Sequence, residues 1–167
     1  METQGLVPLV EETAHYYGAT VLAGQGFDIL DKKHKFAQWV AAQGDVLILH
    51  AGDLDKSGYS VFTTLNDDIQ AFVKELGGQM EIKRIALLEE QVVEFGLQTS
   101  PAPVGLNRGN HGKGFTSQVE CQLESLDAPD IQGIIETAFE DELDMDLFNA
   151  RMFAEDGLKK EALELLI

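Results

Sequence analysis

The residues best suited to chemistry are Asp53 and Asp55, which follow the apolar run Val-Leu-Ile-Leu at positions 46–49. An uninterrupted apolar run predicts a strand buried on both faces, as in a parallel sheet covered by helices. Residues i and i+2 of an extended segment project to the same side, so both carboxylates can share one hard cation. Mg²⁺ binds through one or two carboxylates, waters and phosphate oxygens. The pattern predicts a Mg²⁺ site, with Mn²⁺ as an alternative, at the carboxyl end of the strand, where open α/β sheets place their ligands.

A structural role is the alternative for both aspartates. Aspartate is a favoured N-cap residue, and the sequence predicts a helix beginning near Ser57, which we expect to cap that helix under either interpretation. His50 ends the strand beside the acids. It is either an assistant in proton transfer or a packed, hydrogen-bonded core residue.

Six basic residues are candidates for contacting a nucleic-acid backbone. They are Lys32, Lys33 and Lys35 in one helical turn, Lys56 beside the aspartates, and Arg108 and Lys113 in a glycine-rich loop over 98–118. Lysines at a helix N-terminus oppose the macrodipole, which favours a role other than stability. Loops of this length are usually functional or disordered, and this one lacks the P-loop pattern. The alternative is a solvated helix turn and an exposed loop tip.

Strands alternate with helices along the chain, which predicts an open α/β sheet. Apolar spacing and breaker residues predict strands over 19–23, 45–52, 80–87 and 119–126. They predict helices over 6–17, 29–42, 59–76, 89–95, 129–142 and 147–166. We therefore expect a mostly parallel sheet of about four strands with flanking helices. Tyr16, Tyr17 and Tyr59 fall in or beside predicted helices, where packing is the expected role.

Composition predicts one domain over residues 1–167, with an acidic helical part over 128–167. Apolar residues make up 44% of the chain, which is enough for a core, yet no run is long enough for a membrane span. The N-terminus shows no secretory pattern. A single cysteine, Cys121, excludes an internal disulfide. These features predict a cytoplasmic protein that does not enter membranes.

The net charge of −17 is concentrated at the C-terminal end, because residues 120–167 alone carry 14 acids and 3 bases. Phosphate contacts require Lys and Arg, so this third is a poor surface for DNA. A strongly acidic face aids solubility, or it binds a basic partner.

Four segments in sequence order resemble the Toprim domain. Residues 2–6 are similar to its acidic first motif, and residues 50–58 resemble its Asp-x-Asp motif, often written Gly-Asp-x-Asp-x-Ser-Gly in the A subunit of type IIB topoisomerases and related phage, plasmid and bacterial proteins. Residues 84–92 are similar to the Arg-Ile-Ala-Leu-Thr-x-Glu-Gln-Val segment of those relatives. Residues 122–126 resemble their Glu-Leu-Asp-Ala-Leu segment, with Gln122 in place of its glutamate.

The resemblance implies a Rossmann-like Toprim fold in which Asp53 and Asp55 hold Mg²⁺. Glu2 is then either a metal ligand or a general acid/base. Such domains position phosphate oxygens during DNA strand cleavage or transfer. The family's glutamate ends a strand, whereas only Met1 precedes Glu2, so we expect a fragment or the loss of the first strand.

Two functional hypotheses follow. The first is a Mg²⁺-dependent nuclease-like or topoisomerase-like module acting on DNA, completed by a protein partner or an upstream domain. The second is a non-catalytic acidic protein of the same fold that binds a protein partner, with a homodimer as one arrangement. A receiver-like or small phosphatase-like α/β domain is a weaker third alternative.

Overall fold

This computed structural model describes residues 1, 4–24, 29–103 and 112–164, and it is a mixed α/β protein with about 60% helix. The helices are α1 (Val7–Tyr16), α2 (Leu30–Gln43), α3 (Lys56–Thr64), α4 (Gln70–Glu75), α5 (Glu89–Glu94), α6 (Ala128–Glu142) and α7 (Met145–Glu164). The strands are β1 (Asp45–Ala51), β2 (Gln79–Ala86), β3 (Ser100–Pro101) and β4 (Val119–Glu120). Within the described ranges, no helix combines the length and apolar character needed to cross a membrane.

A two-stranded parallel sheet forms the centre of the fold. β1 pairs with β2 from Asp45 opposite Gln79 to Ala51 opposite Ala86, with a shift in register after His50. β3 and β4 form a separate antiparallel pair. The parallel strands predicted over 45–52 and 80–87 are confirmed as β1 and β2, whereas a four-stranded Rossmann-like sheet is not confirmed.

Two of the predicted strands differ from the structure. Residues 19–23 are not a strand, because among the described residues no ladder of backbone hydrogen bonds joins them to β1 or β2. The strand predicted over 119–126 is only two residues long, and it gives way to a bridge at Cys121 and a 3₁₀ turn over Leu123–Ser125. Apolar periodicity registers side-chain burial, but a strand also needs a backbone neighbour.

Apolar side chains pack on both faces of the sheet, but β1 is less buried than its uninterrupted apolar run predicts, because residues 46, 48 and 49 are half-buried and Leu47 is exposed. One cluster joins the ends of β1 and β2 to α1, α5 and α6, and it includes Val10, Leu54, Leu87 and Leu123. The other packs α2 and α4 against the opposite face through Val40 and Val73. The carboxyl end of β1 is therefore held between two helical layers.

A π-helical turn over Leu65–Ile69 joins α3 to α4. Such turns insert one extra residue into a helix and are frequent at functional sites. Leu65 and Ile69 are buried in the cluster beneath α2, whereas Asp67 and Asp68 between them are exposed. The turn thus presents two adjacent carboxylates on the surface of a helix whose other side is core.

The tyrosines of α1 are packing residues. Tyr17 stacks on Phe139 of α6 at 4.7 Å between ring centroids and lies 5.3 Å from Phe148 of α7. Tyr16 contacts Phe148 edge-on at 5.6 Å. Aromatic pairs at these distances stabilise contacts beyond their buried area. They fasten α6 and α7, the acidic part of the chain, to α1.

Gly78, at the entrance to β2, should not tolerate a side chain. A Cβ there would lie 2.7 Å from Cα and 2.9 Å from Cβ of Ala41 in α2, closer than real contacts allow. We expect Gly78→Ala to lower the free energy of unfolding in urea by about 2 kcal/mol, because α2 must move away from the sheet. Gly133→Ala is the control: nothing lies within 4 Å of its added Cβ in α6. It should raise stability by up to about 1 kcal/mol. Equal stabilities of the two variants would contradict this packing argument.

Candidate metal and nucleic-acid site

Asp53 fastens the carboxyl end of β1 to a distant part of the chain. Its Oδ1 accepts a hydrogen bond of 2.8 Å from the backbone N–H of Leu123. The next residue, Leu54, exchanges two backbone hydrogen bonds with Cys121, at 2.9 and 3.1 Å. Two of the segments that carry the Toprim resemblance, 50–58 and 122–126, are therefore in direct contact. The sequence alone gave no sign of this bond, because it joins residues 70 positions apart.

The surroundings of Asp53 disfavour its negative charge. Burial raises the pKa of its carboxyl group, and the nearby carboxylates of Glu124 and Asp55 raise it further. The Leu123 N–H and the Arg84 guanidinium act in the opposite direction. A carboxylate whose charge is destabilised by neighbouring carboxylates is one that a cation would stabilise. Burial is the largest of these effects, and the two neighbouring carboxylates add to it.

Asp55 is the N-cap of α3, which confirms the structural role weighed for it. Its Oδ1 accepts a 2.7 Å hydrogen bond from the backbone N–H of Gly58, while α3 begins at Lys56. Ser57 was expected to cap this helix, but it lies inside the first turn. A carboxylate offers about four lone-pair positions on two oxygens. Accepting one N–H is therefore compatible with binding a cation as well.

Arg84, at the end of β2, binds the loop that carries the aspartates. Its Nη2 donates to the carbonyl oxygens of Gly52 at 2.9 Å, of Asp53, and of Leu87 at 3.4 Å. Its guanidinium lies 4.5 Å from the centre of the Tyr59 ring, a cation–π contact. The sequence signal for this residue was the Arg-Ile-Ala-Leu motif, which gave a resemblance without a role. In the structure, Arg84 holds the aspartate loop through hydrogen bonds to the carbonyls of Gly52 and Asp53.

His50 is a buried, neutral residue beside the site. Its side chain is 3% exposed, packs against Phe62 at 5.4 Å, and has Nδ1 3.4 Å from Nη1 of Arg84. Burial, the Arg84 charge and the N-terminal ammonium lower its pKa to about 3. Among the described residues, Nε2 has no hydrogen-bond partner. Of the two roles considered for His50, the structure supports the packed residue.

Four of the candidate lysines make contacts within the protein. Lys33, Lys35 and Lys113 form ion pairs with Asp68, Asp31 and Asp67 at 2.6, 2.8 and 2.9 Å, and Lys56 donates to the carbonyl of Pro103 at 3.1 Å. Lys32 is exposed. Of these, Lys56 lies next to the aspartates in sequence and space, because it opens the helix that Asp55 caps. Contact with phosphate would require the paired lysines to exchange partners.

Two predicted site residues, Glu2 and Arg108, lie outside the described residues. In the part of the chain that the structure describes, no group of three or more His, Cys, Asp or Glu side chains is arranged to hold a metal. The described portion of the site is thus a pair of aspartates, with the charge of Glu124 close to Asp53.

Comparisons of the chain with family models, with curated proteins and with solved structures find no match in any of the three. The resemblance to the Toprim domain therefore stays a prediction that rests on four motifs. Two of those motifs are joined by the Asp53–Leu123 hydrogen bond. A third, residues 84–92, contributes the arginine that holds the aspartate loop.

Proposed function

We propose that the protein is a cytoplasmic, Mg²⁺-binding Toprim-like domain that acts on or docks to nucleic acid as part of a larger protein or complex. The observation that carries the proposal is the position of Asp53 and Asp55 at the carboxyl end of a parallel strand, with Glu124 adding negative charge. This is the edge at which α/β sheets bind ligands. Carboxylates are the ligands that Mg²⁺ prefers.

In this proposal Asp53 and Asp55 hold the metal, and Glu2 assists as a ligand or as a general acid/base. Bound Mg²⁺ would neutralise charge on a phosphodiester during cleavage or transfer. The protein's own contribution is orientation. Arg84 fixes the carbonyls of Gly52 and Asp53, so the loop presents its carboxylates from a rigid support. Lys56, at the start of α3, is the lysine that we expect to contact a phosphate, in exchange for its hydrogen bond to the carbonyl of Pro103.

A calorimetric titration with Mg²⁺ and Mn²⁺ tests the metal site, using Asp53→Asn/Asp55→Asn as the comparison. Asparagine keeps an oxygen that can accept the hydrogen bonds from the Leu123 and Gly58 N–H groups. It is also about as good an N-cap residue as aspartate is. The fold should therefore persist while metal binding falls at least tenfold, because both charged ligands are lost.

The matched control is Asp127→Asn/Asp144→Asn, which removes the same two charges. Asp127 accepts from the N–H of Asp130, and Asp144 accepts from the N–H of Leu147. This control should bind metal like the unmodified chain. Equal metal affinity in all three proteins would exclude Asp53 and Asp55 as the site.

The second candidate function is a non-catalytic acidic protein that binds a protein partner. The ion pairs of Lys33, Lys35 and Lys113 and the net charge of −17 favour it. An electrophoretic mobility shift at low salt separates the two proposals. Retardation of DNA supports the first, since phosphate contacts strengthen as salt is removed. No retardation supports the second.

A further inference from the structure

A cavity of about 280 Å³ runs along the edge of β1 that faces away from β2. Six consecutive residues of β1, 46–51, line one side, and residues 19–22 with Gly24 line the other. Successive residues of a strand point to opposite faces. A cavity that touches all six therefore follows the strand's edge, and the presence of Ile85 of β2 in its lining shows that it also extends over one face of β1.

Helices close this cavity above and below. Phe36 and Trp39 of α2 cover one side, while Val10 of α1 and Ile135 of α6 cover the other. The distance between strands in a sheet is about 4.8 Å, and packed layers lie about 10 Å apart. The cavity thus has the form of a gap within a sheet layer, bounded by two extended segments and roofed by helices.

The backbone along both rims is suited to pairing. In a parallel sheet, alternate residues of a strand direct their N–H and C=O groups towards each neighbour, so half of the β1 peptide groups face the cavity. No backbone hydrogen bond crosses from residues 19–24 to β1 in the described part of the chain. Unpaired peptide groups at an edge are a template for another strand.

Met1 shows how a strand would fit between these rims. Its amino group donates to the carbonyl of Leu22 at 3.0 Å, and its carbonyl accepts from the N–H of Gly24 at 2.6 Å. One residue bonded to two residues spaced i and i+2 is the pattern of a parallel pair. Met1 packs against the cluster that contains Ala51 and Leu54, so it lies towards the carboxyl end of β1. The remainder of the gap extends from there towards Val46.

We propose that this gap receives an extended apolar strand from a partner polypeptide, running parallel to β1 and hydrogen-bonded to β1 on one side and to residues 19–24 on the other. The strand would be about five residues long, at 3.3 Å per residue. Its side chains alternate between the layer of α2 and the layer of α1 and α6, and both layers are apolar, so the partner residues must be apolar on both faces. A small apolar molecule would leave the peptide groups of both rims unpaired.

The charge of the chain indicates which residues should lie on either side of the partner's apolar segment. No Asp, Glu, Lys or Arg is among the described residues that line the cavity, whereas the whole chain has a net charge of −17, so we expect basic residues beside the apolar segment and not within it, because opposite potentials steer association. With the strand inserted, the order would be residues 19–24, the partner strand, β1 and β2. That would be a parallel sheet of four strands, three of them from this chain.

Amide hydrogen exchange of the full chain, followed by NMR, tests the proposal. The probe is a capped peptide of about seven residues, Lys-Val-Ile-Val-Ile-Val-Lys, and the matched probe has proline at its centre. At saturation we expect the first peptide to slow exchange of cavity-facing amides in residues 46–51 and 19–24 by about tenfold or more. The proline peptide should not, since it lacks a donor and disrupts strand pairing.

A substitution in the chain makes the test specific to the gap. Leu47 is 38% exposed and lines the cavity, whereas Leu76 is 43% exposed and is not among its lining residues. Leu47→Asp should weaken peptide binding at least tenfold, because a carboxylate would be buried against the strand. Leu76→Asp should leave it unchanged.

Three outcomes would overturn the proposal. The first is unchanged exchange with the Lys-Val-Ile-Val-Ile-Val-Lys peptide. The second is equal protection by the proline peptide, which would indicate non-specific apolar binding. The third is protection only when the same strand is fused directly ahead of Met1, which would assign the gap to a covalently linked segment and not to a partner.

Discussion

Replacing Arg84 with methionine should lower the free energy of unfolding by about 3 kcal/mol. Methionine fills much of the same space, but the carbonyls of Gly52, Asp53 and Leu87 lose the donor that the guanidinium supplies. Arg84→Lys should recover only part of the loss, since one ammonium cannot reproduce a planar fork stacked on a ring. Urea unfolding followed by circular dichroism measures the difference.

The control for this experiment is Arg151→Met on α7. Arg151 is also paired, with Glu155 at 3.0 Å, but it lies on an exposed surface one helical turn away from its partner. Exposed pairs of this kind contribute about 0.3–0.5 kcal/mol. If Arg84→Met were no more destabilising than Arg151→Met, the role of Arg84 in holding the aspartate loop would be wrong.

Acid should destabilise the protein through His50 well above the pH at which most carboxylates titrate. Its pKa is lowered to about 3 in the folded chain by burial first and by the Arg84 charge second, against 6.5 in the unfolded chain. The unfolded state therefore binds a proton that the folded state does not. The stability contributed by neutral His50 is complete above pH 6.5 and falls by about 1.4 kcal/mol per pH unit below it.

His50→Gln isolates this contribution, because glutamine has a similar volume and does not titrate. Between pH 6 and pH 4, the free energy of unfolding of the unmodified chain should fall by about 2.5 kcal/mol more than that of the variant. His15→Gln, at an exposed position of α1, is the control and should keep the steep dependence. Parallel pH profiles for the unmodified chain and His50→Gln would refute the argument.

The sequence was sufficient for the elements whose structure depends on their own residues. β1, β2 and the main helices lie within a few residues of their predicted positions, because apolar period and breaker residues mark them locally. Residues 19–23 have the same apolar character as a strand, yet they form none. Met1 is hydrogen-bonded beside one end of this segment, whereas a strand needs a partner along its length, which no local pattern can report.

The same distinction applies to the site. Capping by Asp55 was accessible from sequence, since its partner is the N–H of Gly58 three residues away. The bond from Asp53 to Leu123 and the contacts of Arg84 with Gly52 span 70 and 32 positions. Such contacts arise from the tertiary fold. Motif resemblance brought these segments to attention, but it did not indicate which atoms meet.

The adjacent carboxylates of the π-helical turn bear on how nucleic acid would bind. Asp68 and Asp67 hold Lys33 and Lys113, so a phosphate must displace an internal counter-charge from each lysine. Each released aspartate then attracts a cation from solution, which cancels much of the counterion release that normally drives such binding. The dependence of DNA affinity on ionic strength would therefore be shallower than the number of contacted phosphates implies. The two aspartates would compete with DNA phosphates for the same lysines.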